Sequence, residues 1–145
     1  NFDLQNSHVL PAMIRKIYEA KRYGKPLTLW GDGSPLREFT FSHDMAKIMM
    51  FLLENYNEPN PINVGNTKEY SIREVAEIIA KIYDYDGEII WDASGPPGQF
   101  RKPSSNQNLL DLGFSEDNYT DFNIAIRTVC KWFENHYEEA RGVKL

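Results

Sequence analysis

Leu27-Thr28-Leu29-Trp30-Gly31-Asp32-Gly33-Ser34-Pro35-Leu36-Arg37-Glu38-Phe39-Thr40-Phe41 is the stretch on which the reading of this chain turns. Its first four residues have the composition of a short strand, and Gly31 to Pro35 are turn formers that end it. Arg37 to Phe41 then alternates, with Phe39 and Phe41 on one face, which predicts a second strand. The glycines suggest a phosphate-binding turn, but a dinucleotide fingerprint needs a further Gly three residues on and a helix after it. Here a strand follows, so the turn is not that fingerprint.

Helices are predicted on both sides. Upstream, Leu10, Met13, Ile14, Ile17 and Tyr18 form an apolar stripe over residues 9–23, with Ser7 as cap, Pro11 in the first turn and Gly24 as stop. Downstream, Ser42 caps a helix in which Met45, Ile48, Met49, Leu52 and Leu53 recur at helical spacing as far as Tyr56. Ile62-Asn63-Val64 reads as a strand stopped by Gly65. Ser71-Ile72-Arg73-Glu74 is a capping box, opening a helix that buries Val75, Ile79 and Ile82 and ends near Asp84. Glu88 to Trp91 is another strand. Residues 92–105, with Gly95, Pro96, Pro97, Gly98 and Pro103, form a long irregular stretch of the kind that is either functional or disordered. A short helix from Ser105 to Leu112 stops at Gly113, and a last helix runs from Asp121 to Arg141.

The alternation of strand and helix makes the fold class α/β. Two short strands, 27–30 and 62–64, are too few for a self-sufficient parallel sheet. Ile62-Asn63-Val64-Gly65 suits a sheet whose other strands lie elsewhere; the alternative is a small stand-alone α/β domain. The 145 residues suffice for one domain. With 16 Lys and Arg against 21 Asp and Glu the net charge is −5, which argues against a nucleic-acid binder. The lone Cys130 excludes an intrachain disulfide and fits a reducing compartment. No apolar run approaches the roughly 20 residues that span a bilayer.

Few residues invite chemistry. His8 precedes the first helix among polar neighbours, and histidine is the usual general acid or base near neutrality. Its plain reading is a solvated residue at a helix start. Basic residues gather at Arg15-Lys16, at Arg37 and at Arg101-Lys102, and their convergence would suit a diphosphate. Taken singly, each is ordinary surface charge. Trp30, at a strand end beside glycines, suits stacking on a base or sugar as well as it suits a core. Tyr18-x-x-Lys21 is one residue short of the Tyr-x-x-x-Lys pair of short-chain reductases, and the three His are too scattered for a metal site.

The combination carries further. Ser7-His8-Val9-Leu10-Pro11-Ala12, then Trp30 to Phe39, then Asp44 resemble the C-terminal half of an extended short-chain dehydrogenase/reductase, a Rossmann-like superfamily. His8-Val9-Leu10-Pro11, Gly98-Gln99-Phe100-Arg101-Lys102 and the tail from Ala125 to Arg141 are similar to its GDP-L-fucose synthase family.

The resemblance implies conversion of GDP-4-keto-6-deoxy-D-mannose to GDP-L-fucose by 3,5-epimerisation and NADPH-dependent 4-reduction. It implies His8 as the catalytic acid, and Val9, Lys16, Trp30, Arg37 and Lys102 as substrate-binding residues. Residues 1–145 are then the substrate-binding domain, with 62–65 as a strand of a cofactor sheet that this chain lacks. NADP(H) would bind mainly through that absent N-terminal part, as would the Ser-Tyr-Lys group and the catalytic Cys. No cofactor-binding or metal-binding residue is expected in the chain, and alone it should be inactive. The expected partner is a GDP-sugar, with neither nucleic acid nor membrane, in a cytoplasmic enzyme that is a homodimer when whole. Alternatives are another nucleotide-sugar 4-epimerase or 4,6-dehydratase, and a non-catalytic nucleotide-sugar-binding module.

Overall fold

The computed structural model describes residues 1–95 and 98–143, so the predictions for Pro96 and Pro97 fall outside the described residues. The apolar stripe at the start becomes helix α1, Val9–Tyr23, which buries Met13, Ile14, Ile17 and Ala20. Gly24 ends it in the left-handed region at φ 61°, where a residue without Cβ is at ease. The N-cap is His8, one residue later than Ser7, and no side chain caps the helix.

Strand β1, Leu27–Trp30, is followed by β2, Leu36–Glu38, and helix α2, Ser42–Asn55. The second strand thus starts earlier and is shorter than its alternation predicts. Phe39 packs against the main core and its ring lies 6.0 Å from that of Phe122, which ends the ladder at Glu38. Phe41, not Ser42, is the N-cap of α2. Strand β3, Glu69–Ser71, has no period that announces it; it pairs antiparallel with β2, Leu36 opposite Ser71 and Glu38 opposite Glu69. Helix α3, Ile72–Ile82, opens on the predicted capping box, in which the Ser71 hydroxyl accepts from the Glu74 amide and the Glu74 carboxylate accepts from the Ser71 amide. Strand β4, Ile89–Asp92, returns beside β1 in parallel, with Leu27 opposite Ile89 and Trp30 opposite Asp92.

Helices α4, Gln107–Asp111, and α5, Phe122–Asn135, complete the chain. The last helix stops six residues before Arg141 because Tyr137 turns inward, and the tail continues in turns such as Ala140 N–H to the Tyr137 carbonyl. That tail holds the start of the chain. The Phe2 amide donates to the Arg141 carbonyl at 2.7 Å, and the Phe2 ring lies 4.3 Å from that of Phe133.

The main core joins α1, α3, α5 and β1 through Ile14, Ile17, Leu27, Val75, Ile79, Ile126 and Phe133. A smaller core lies under α2, where Ile48, Leu109 and Phe114 are buried. The predicted stripe of α2 is only partly used: Ile48 is inside, whereas Met49 and Leu53 are exposed, as is Met50 beside them. Ile62 and Val64 pack partly on the small core, but residues 62–64 pair with no strand among the described residues. No described helix is long and apolar enough to cross a membrane.

Candidate functional site

The turn after β1 is built onto the first turn of α3. A helix N-terminus has free amides, and here the Ile72 amide donates to the Pro35 carbonyl and the Arg73 amide to the Gly33 carbonyl, at 3.0 and 2.9 Å. The Arg73 guanidinium donates to the Asp32 carbonyl at 2.5 Å and stacks on Trp91, 4.6 Å from the ring centroid. Gly33, at φ 79°, lies beneath that indole; a Cβ there would meet the Trp91 ring at 2.8 Å and the Arg73 Cβ at 2.9 Å. Only glycine fits. The Ser34 amide and hydroxyl hydrogen-bond to the Asp32 carboxylate and hold its pKa below the usual range.

This fixed turn leaves Trp30 at the edge of a cleft of about 640 Å³. The cleft runs along α1 from its N-terminal approach, Gln5 and Ser7, past Val9, Met13 and Lys16 to Leu29 and Trp30 of β1. Trp30 is 81% exposed, an unusual position for an indole unless something covers it. The Lys16 ammonium donates to the Thr28 carbonyl at 3.1 Å, which holds its stem along the cleft wall.

Three of the residues singled out in the sequence, Val9, Lys16 and Trp30, therefore meet in one cleft. His8 sits between Ser7 and Val9, both of which line it, and is itself exposed. Arg37 and Lys102 do not line it. Arg37 donates to three carbonyls, those of Leu36, Gln99 and Phe100, at 2.6, 2.8 and 3.3 Å. Lys102 is exposed on the segment that Arg37 holds.

The other basic residues serve the fold. Arg15 pairs with Glu19 and donates to the carbonyls of Phe2 and Gly142. Arg101 pairs with Glu69. Sequence reasoning missed Gln5, Ala12, Met13 and Ile72 in the cleft. Met13 was legible as an apolar stripe residue, but nothing in the sequence says that it also backs the cleft.

Cys130 is wholly buried, and loss of solvation pushes its thiol up to about 11, so it is no nucleophile. Among the described residues no group of three or more His, Cys, Asp or Glu is placed to hold a metal ion. A dinucleotide does not fit the turn after β1 either, since that turn leads into β2 and presents no helix N-terminus to a pyrophosphate.

The chain is similar to the extended short-chain dehydrogenase/reductase class: the family model described as NAD dependent epimerase/dehydratase matches residues 1–65. Within that class the chain resembles GDP-L-fucose synthases. It is 38% identical to GDP-L-fucose synthase of Dictyostelium discoideum over 97% of this chain. It is also 39% identical to GDP-L-colitose synthase of Yersinia pseudotuberculosis over 92% of this chain. The crystal structure of a GDP-L-fucose synthetase from Naegleria fowleri, bound to NADP, superposes on 97% of it with a TM-score of 0.91 and 36% identity. The chain spans 44% of the length of each of these three relatives.

Proposed function

We propose that this chain is the nucleotide-sugar-binding part of a GDP-L-fucose synthase. The observation that carries the reading is the convergence of Val9, Lys16 and Trp30 on one cleft, with His8 between two residues that line it. Cations and an exposed indole suit a nucleoside diphosphate, the charge to Lys16 and the flat face to Trp30. Arg37 and Lys102, which lie outside the lining of the cleft, are assigned in the same reading to the nucleotide as further cations.

The residues divide the work. Holding the nucleotide away from the reacting ring lets its binding energy orient the sugar. A 4-keto group acidifies the protons at C3 and C5, and inversion at each centre needs an acid on the face opposite the base. His8 supplies that proton. Reduction at C4 and the NADP(H) that serves it are assigned in this reading to sequence outside the described residues, and the chain alone is expected to bind without turnover.

The same proposal assigns residues 62–65 to a strand of that cofactor sheet. Two features support it: residues 62–64 lack a partner strand among the described residues, and Met49, Met50 and Leu53 of α2 are exposed. A homodimer of the whole enzyme completes the reading.

Titration of the chain with GDP, followed by calorimetry, tests it. Lys16→Ala is expected to weaken binding about 10-fold, the ordinary worth of one charge-assisted contact, and Arg37→Ala to weaken it by a similar factor. Equal affinity for the parent and both variants refutes the reading.

A further inference from the structure

The segment Gly98–Ser104 is strapped to the antiparallel β2–β3 pair. The Leu36 amide donates to the Phe100 carbonyl at 2.8 Å, and Leu36 and Arg101 form a parallel bridge. Arg37 holds the Gln99 and Phe100 carbonyls. The Arg101 Nε donates to both carboxylate oxygens of Glu69, at 3.0 and 2.8 Å, and its Nη2 lies 2.5 Å from Oε2. Three residues on, Glu38 accepts from the Ser104 amide at 3.0 Å and from its hydroxyl at 2.6 Å. Two opposed glutamates of one ladder rung, Glu38 and Glu69, thus clamp the strap on either side of Lys102.

Like charges facing each other across a ladder repel, so this rung is unfavourable unless each carboxylate is satisfied. Each is, by a different residue of the strap. Lys102 is left over: it is exposed, and no described residue bonds its ammonium. The backbone is thus pinned on both sides of Lys102, at Arg101 and at Ser104, while Lys102 itself stays exposed.

We propose that Glu69 and Glu38 are positioning residues that fix the strap so that the Lys102 ammonium is presented to a nucleoside diphosphate. The proposal rests on the assignment of Lys102 to the nucleotide and adds what holds it there. A cation on a loose loop spends binding free energy on ordering the loop, whereas a clamped one does not.

A double-mutant cycle on the chain, read by GDP affinity, tests this. Glu69→Gln is expected to weaken GDP binding about 5-fold in the parent, the cost of ordering one released segment, and to have no effect in a Lys102→Ala background. Ser104→Ala, which removes the hydroxyl bond to Glu38, keeps the amide bond and changes no charge, should show a smaller loss with the same dependence on Lys102. Trypsin reports the strap directly, since it cuts after Arg101 once that side chain is free, while Pro103 blocks the next bond. Cleavage should quicken in Glu69→Gln at unchanged melting temperature. An equal loss of affinity in both backgrounds overturns the proposal, as does faster cleavage with GDP affinity unaltered. If Lys102→Ala alone leaves affinity unchanged, the assignment of Lys102 falls and the proposal falls with it.

Discussion

Asp44→Ala is expected to lower the unfolding free energy by about 3 kcal/mol and the melting temperature by roughly 10 °C. Asp44 is fully buried in the first turn of α2, where a negative charge also complements the helix dipole. Its carboxylate accepts from the Thr120 amide at 2.9 Å and the Thr120 hydroxyl at 2.8 Å, and pairs with Lys47 at 3.1 Å. It therefore staples α2 to the residue that precedes the α5 cap. Removing it leaves a part-buried amide and hydroxyl of Thr120 without their acceptor, and that desolvation is the larger part of the loss.

Asp44→Asn keeps one acceptor and should lose about half as much. Burial alone would raise the Asp44 pKa, but the Thr120 and Lys47 bonds outweigh it and hold the pKa below the usual value. A depressed folded-state pKa means that the contribution is complete above the unfolded pKa, near 4, and is lost as pH falls through the folded one. The difference between parent and Asp44→Asn should therefore narrow on acidification below about pH 4. Urea unfolding followed by circular dichroism at pH 7 and pH 3 measures both, and a parent-like midpoint for Asp44→Ala would refute the account.

The second large effect concerns chemistry. In the whole enzyme, His8→Gln is expected to slow epimerisation by about 100-fold or more, the usual worth of a positioned acid. The variant should fold like the parent, because His8 is exposed and its side chain makes no cap bond to α1. GDP affinity should also hold, since the cleft is lined by its neighbours Ser7 and Val9. Proton exchange from solvent at the sugar's C3 and C5, followed by NMR, isolates the step. Turnover within about threefold of the parent would remove His8 from the mechanism and favour a 4-epimerase or 4,6-dehydratase.

Local chemistry made much of this fold legible. The capping box at Ser71 and Glu74, the stop at Gly24 and the stripe of α1 are each decided within a few residues, and each stands where predicted. Strand β3 was not legible: Glu69-Tyr70-Ser71 has no alternation, and it is a strand because Leu36–Glu38 lies opposite. The overlong reading of α5 has the same root, since the stripe continues to Tyr137 while the chain turns to meet Phe2. In the site, Lys16 and Trp30 could be named from residue type and motif. The employment of Arg15, Arg37 and Arg101 could not, because their partners, at Gly142, Gln99 and Glu69, are distant in sequence.

The parallel pairing of β1 with β4 bears on how the molecule assembles. Its partners lie about 60 residues apart, so the ladder gains nothing until the whole intervening segment has collapsed and its loop-closure entropy is spent. Helices α1 and α3, with contacts close along the chain, form in microseconds. By this argument the wall that carries Trp30 sets after those helices. Any pause before that point leaves a collapsed species with its helices in place and the β1 edge open, the surface through which one nascent chain adheres to another.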